Sequence, residues 1–142
     1  MNQLRQIMTQ SVASVSPQDN VYKAASLMKQ HNIGAVPVVE NGQIRGMVTD
    51  RDLVLRALAD QQNEAVSVGE VMSNQVVSGS PDMTVGEASQ LMAQNQIRRL
   101  PVVENNQLVG MVSLGDLAVR NTLSNEAGQA LSNISKPSSP QM

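Results

Sequence analysis

The chain has 142 residues, 41% hydrophobic and 15% charged, with a formal net charge of −2 and no clustering of Lys or Arg; this composition excludes global disorder and gives no footprint for nucleic acid. With no cysteine and a single histidine, His31, disulfides and thiolate zinc sites are excluded and no metal site is expected. Met1 to Gln10 lacks the apolar core of a signal peptide and no run approaches the ~18 apolar residues of a membrane span, so a cytoplasmic chain without membrane contact is expected.

Val12 to Ser16 alternates and carries β-branched residues, which predicts a short strand that Pro17 ends. Asp19 or Asn20 can cap a helix over Val21 to His31, in which Val21, Ala24, Ala25, Leu27 and Met28 share a face. Two apolar runs follow, Ala35 to Val39 and Gln43 to Val48, joined by an Asn41-Gly42 pair that suits a hairpin. Asp50 to Asp60 reads as a second helix with Leu53, Val54, Ala57 and Leu58 apolar, and residues 61–70 as a link. The order then returns: strands over Leu100 to Val103 and Gln107 to Val112, and a helix over Asp116 to Leu123. Residues 125–142 are rich in Ser, Asn, Gln and Pro, and a disordered tail is expected there.

The return is a duplication. Residues 7–56 overlay 71–120 without a gap, and 23 of these 50 positions are identical. Pro17 pairs with Pro81, Pro37 with Pro101, Gly46 with Gly110 and Asp52 with Asp116, always 64 apart. The expected fold is α/β: two tandem βαββα units, the first in residues 1–62 and the second in 63–124. One unit buries too little apolar area to offset its chain entropy, so the copies are expected to pack sheet against sheet about a pseudo-twofold axis and share a core. Met8, Met28 and Met47 recur as Met72, Met92 and Met111, and core filling suits them.

Candidate chemistry sits where the third strand of each unit turns into the last helix. Thr49 stands three residues before Asp52, and Ser113 three before Asp116. As caps, the hydroxyl accepts from the helix's first turn and the carboxylate favours its positive end. As a binding site, the hydroxyl and free N–H groups meet a phosphate while the carboxylate accepts two ribose hydroxyls. Spacing leaves both readings open.

At these residues the chain resembles the CBS domain family in its tandem-pair arrangement. The strands ending in Ser-Pro, the Pro-Val-Val runs at Ile33 to Val39 and Ile97 to Val103, the turns Gly46 to Asp52 and Gly110 to Asp116, and the repeat itself carry the likeness. The resemblance implies a disc-like domain with clefts between the copies for an adenosine-containing ligand: AMP, ADP, ATP or S-adenosylmethionine. Carried over, the ribose-binding aspartates are Asp52 and Asp116, and the phosphate-facing hydroxyls Thr49 and Ser113. The base-flanking chain is Ser14, Val15, Ser16 and Pro17 with Val36 and Pro37, and in the second copy Ser78, Gly79, Ser80 and Pro81 with Leu100 and Pro101.

Arg98 and Arg99, where the first copy has Gly34 and Ala35, stand where the family often places phosphate-facing cations. Adjacent strand residues point to opposite faces, so Arg99 is the expected phosphate ligand and Arg98 can equally be an exposed edge charge. Arg51, replaced by Gly115 in the second copy, is a further candidate cation. Tyr22 is the only aromatic residue, so a base pocket has to be aliphatic.

The expected function is a ligand sensor that forms a homodimer and signals through an unknown effector protein, with the adenine nucleotide or S-adenosylmethionine as regulatory ligand and no catalytic cofactor. The alternative is a ligand-free structural or dimerisation module. No nucleophile paired with a base and no Gly-rich phosphate loop is present, so an enzyme is not expected.

Overall fold

The computed structural model describes residues 2–59 and 66–119, with side chains to residue 117. The elements in chain order are α1 (Leu4–Ile7), α2 (Val21–His31), β1 (Ala35–Glu40), β2 (Gln43–Thr49), α3 (Asp50–Asp52) running into a π-helical segment (Leu53–Leu58), α4 (Val68–Val71), α5 (Val85–Asn95), β3 (Arg99–Glu104), β4 (Gln107–Ser113) and α6 (Leu114–Val119). The expected tail, residues 61–65 of the expected link and the end of the last helix lie outside the described residues, and the rest of the link, residues 66–70, runs into α4.

Two compact units form, and their boundaries differ from those of the sequence repeats. The first-repeat unit comprises residues 11–76 with 105–108; the second-repeat unit comprises, of the described residues, 2–10, 77–104 and 109–119. Each unit therefore takes a stretch of chain from beyond its own repeat.

In the first-repeat unit the expected strand before Pro17 shrinks to one parallel bridge. Val15 N–H donates to Pro37 O at 3.1 Å and Val39 N–H to Val15 O at 2.7 Å. Asn20 caps α2 by accepting from Tyr22 N–H at 2.8 Å, and Asn32 ends it at φ 53°. Asp19 takes another role: it accepts from Ser16 N–H at 2.8 Å and pairs with Lys23 at 3.2 Å.

Strands β1 and β2 pair antiparallel, Val36 opposite Val48, with a bulge at Val38 and Val39. Their turn holds Asn41 at φ 55° and Gly42 at φ 79°, the two positive values that a two-residue hairpin of matching twist requires. Asn105 and Asn106, at φ 54° and 64°, turn the second hairpin the same way. Within the first-repeat unit Gln43 pairs with Gln107.

The helix after β2 widens: Ala59 N–H donates five residues back to Val54 O at 2.8 Å. Only Ala57 of its apolar residues is buried; Val54, Leu55 and Leu58 are exposed. In α2, Val21, Ala24 and Met28 are buried as expected, whereas Ala25 faces solvent.

Among the described residues each unit has a core cluster of its own. Val15, Val21, Ala24, Met28, Val36, Val38, Val48 and Ala57 are joined by Val66, Val68 and Val71. Val85, Ala88, Met92, Leu100, Val102, Val112, Leu114 and Leu117 are joined by Leu4 and Ile7. The copies do depend on each other's chain, through short donated segments.

The donated segments follow the same rule 64 residues apart. Thr9 and Met111 exchange N–H···O bonds of 2.9 Å each, while Ser73 and Met47 exchange bonds of 2.8 and 3.0 Å. Gly110 and Gly46 make this approach possible. A Cβ on Gly110 would lie 2.5 Å from Met8 Sδ, and one on Gly46 would meet the Ser73 carbonyl and Met72 Sδ.

Candidate functional site

Each unit assembles its own set of the sequence-predicted residues. In the first-repeat unit, Thr49 closes β2 in extended conformation and Asp52 is the third helical residue. Thr49 N–H donates to Asp52 Oδ2 at 2.9 Å and Asp52 N–H donates to Thr49 Oγ1 at 3.1 Å. Ser113 and Asp116 make the same reciprocal pair, at 2.9 and 3.1 Å. The capping reading is therefore realised in both copies.

Capping uses only half of each carboxylate. Oδ2 is engaged, while Asp116 Oδ1 has no hydrogen-bond partner among the described residues and Asp52 Oδ1 lies 3.9 Å from Arg56 Nε. Arg56 itself donates to the carbonyls of Val71 and Met72 at 3.3 and 3.4 Å. A carboxylate accepts at both oxygens, so a cap and a ligand hydroxyl fit the same side chain.

The turn is held against the start of the neighbouring strand. Asp50 N–H donates to Gly34 O at 2.9 Å, and Leu114 N–H to Arg98 O at 3.0 Å. Arg98 is exposed and lies just before β3; Arg99 opens β3 and is half-buried. Arg51 is exposed on α3. Among the described residues none of these three guanidinium groups has an ion-pair partner.

The base-flanking candidates divide by burial. Val15, Val36 and Leu100 point into the cores, and Pro37, Gly79, Pro81 and Pro101 are buried with them. Ser14, Ser16 and Pro17 are half-buried, while Ser78 and Ser80 are exposed. Pro37 O and Pro101 O are already accepting, from Val15 N–H and Gly79 N–H, the latter at 2.9 Å.

Sequence reasoning missed the residues that fix these loops. Gly69 N–H donates to Pro17 O and Arg5 N–H to Pro81 O, each at 2.9 Å, so α4 and α1 anchor the two Ser-Pro segments. Arg5 further pairs with Asp82 at 2.8 Å, and the bond with the pairing raises its pKa. Asp19 ties down Ser16; that hydrogen bond, helped by Lys23, holds its carboxyl below the usual range. The available signal was the matched caps Gln3-Gln6 and Ser67-Glu70, again 64 residues apart.

The description "CBS domain" matches the chain twice, over residues 4–58 and 68–120. The CBS domain-containing protein YhcV of Bacillus subtilis (strain 168) is 58% identical over 136 residues, covering 95% of this chain and 96% of that protein. The structure of Hypoxic Response Protein I with two coordinated zinc ions is 31% identical, with a TM-score of 0.75, over 84% of this chain and 98% of that one. CBSX2 in complex with AMP is 25% identical, with a TM-score of 0.74, over 89% of this chain and 99% of that one. Two family matches spanning most of the chain agree with two units carrying the same strand-to-helix turn, and the chain belongs to the CBS domain family as a protein of two CBS repeats.

Proposed function

We propose that this protein is a regulatory module that binds an adenosine-containing ligand and passes the signal to a partner protein, without catalysing a reaction itself. The observation that carries the reading is the half-used carboxylate: Asp52 and Asp116 each cap a helix with Oδ2, and in this reading Oδ1, which in Asp52 lies 3.9 Å from Arg56 Nε, receives a ligand hydroxyl. Two ribose hydroxyls placed there gain charge-assisted bonds, each stronger than a neutral one. Arg99, half-buried at the head of β3, is the cation for a phosphate group of the second-repeat site. The AMP complex of CBSX2 supports adenosine as the recognised part.

Val54, Leu55 and Leu58, respectively 51%, 45% and 66% exposed, form an apolar stretch on one short helical segment. In this reading it supports a homodimer, and the ligand acts by altering what a partner meets. The cytoplasm is the compartment proposed.

The second reading, a structural module without ligand, is favoured by one specific fact: both carboxylates already have work as caps. Calorimetric titration of the ligand-free chain with AMP, ADP, ATP and S-adenosylmethionine separates the two. Binding that is lost in Asp116→Ala or Asp52→Ala supports the sensor; no heat from any of the four supports the structural module.

A further inference from the structure

Both donated segments end on a methionine laid over a glycine. Met8 closes α1 by donating its N–H to Leu4 O, and Met72 closes α4 by donating to Val68 O, each at 2.9 Å. The next residue, Thr9 or Ser73, makes the bridge to β4 or β2. Between cap and bridge the side chain rests on the strand's glycine. A Cβ on Gly110 would come within 2.5 Å of Met8 Sδ and 2.8 Å of its Cγ, and one on Gly46 within 3.0 Å of Met72 Sδ. Neither gap has room for one more atom. Met8 and Met72 are half-buried at the rim of their unit's core, whereas Met28, Met92 and Met111 are buried.

We infer that Met8 and Met72 are modification sites, at which hydrogen peroxide oxidises the thioether and loosens the two donated segments. The sulfur gives up two electrons and takes one oxygen from the peroxide, whose O–O bond breaks and whose other oxygen leaves as water. The sulfoxide is polar and has one atom more than the contact admits. Its oxygen turns to solvent and draws the sulfur off the glycine, or it pushes the segment away; the clamp is lost in both cases. Each segment has only four helical residues, so this one contact is a large share of what docks it. Gly69 N–H and Arg5 N–H hold Pro17 O and Pro81 O, and release therefore frees both Ser-Pro segments as well. Met47 and Met83 are half-buried too, but they belong to β2 and to the lead into α5, not to a donated segment.

The test treats the full chain with dilute hydrogen peroxide and maps it by mass spectrometry. Met8 and Met72 should gain oxygen at least about 10-fold faster than Met28, Met92 and Met111. The oxidised chain should lose hydrogen-exchange protection at the amides of Met8, Thr9, Met72 and Ser73 and melt about 3–8 °C lower. Methionine sulfoxide reductases should restore both. Met8→Leu combined with Met72→Leu, a volume-conserving swap, should melt near the wild type and ignore peroxide, while Met47→Leu combined with Met83→Leu should stay sensitive. Oxygen uptake at Met8 and Met72 no faster than at the buried methionines overturns the inference. So does full protection of the four amides after oxidation, or an equal fall in melting temperature in the Met8→Leu, Met72→Leu chain. Mapping and exchange are read on the unaltered chain, and they decide the matter even where a variant fails to fold.

Discussion

Gly79 lies under Leu100: a Cβ built on the glycine would come within 3.0 Å of Leu100 Cδ2 and 3.1 Å of Leu4 Cδ1. In the other copy the same two places hold Val15 and Val36, both buried. A small residue beside a large one in one repeat replaces two of middle size in the other, which conserves volume in a close-packed core.

This exchange predicts a coupling. Gly79→Val overpacks the second-repeat core and should cost about 1–3 kcal/mol, while Leu100→Val removes one methylene and should cost roughly 1 kcal/mol. The double variant restores the first-repeat pairing and should be more stable than the sum of the single losses. Urea denaturation of the four proteins measures the coupling; strict additivity would show that the two positions do not share a packing constraint.

Leu4 is fully buried, yet apart from Ile7 the buried core residues it joins lie 81 to 113 positions away in sequence. Leu4→Ala should therefore cost about 2–5 kcal/mol, as for an interior leucine of a body helix. A loss under about 0.5 kcal/mol in denaturant titration would mean that α1 does not dock in solution.

The reciprocal Ser113–Asp116 cap separates stability from binding. Asp116→Ala should lower stability by about 0.5–2 kcal/mol through the lost cap, whatever the ligand. Ser113→Ala should cost a similar amount while leaving the carboxylate in place, and so weaken a ribose ligand less. Equal binding losses for both variants would assign the effect to the cap geometry rather than to the free carboxylate oxygen.

Asp19, Glu70 and Glu87 have pKa values below their ordinary ones, each chiefly through a backbone N–H donated by Ser16, Ser67 and Thr84 respectively. A lowered folded-state pKa stabilises fully above the unfolded value, near about 4 for a carboxylate, and that stabilisation is lost as pH falls through the folded value. The melting temperature should thus fall as the pH is lowered from about 5 to 3. Asp19→Asn should melt lower at neutral pH and show a shallower fall across that window.

The exposed Val54, Leu55 and Leu58 give a solution test of self-association. Leu58→Asp should shift the chain toward the monomer in sedimentation velocity, with the melting temperature nearly unchanged because the side chain is 66% exposed. An unchanged sedimentation coefficient would remove this helix from the dimer contact.

The sequence by itself determined the repeat, the first repeat's α2–β1–β2 order and the hairpins, because these depend on local period and on turn residues such as Asn41-Gly42 that act within a few positions. It also determined which residues meet at each strand-to-helix turn, since Thr49 and Asp52 are neighbours on one turn of chain. Only the tertiary structure decided which stretch closes which core. Leu4 and Ile7 serve the second-repeat core and Val66, Val68 and Val71 the first, through bridges between residues 26 to 102 positions apart that no short-range pattern encodes. It likewise decided that Asp50 fills the space beside Gly34: two residues 16 apart carry no shared periodicity, and their meeting follows from the antiparallel pairing of Ala35 with Thr49.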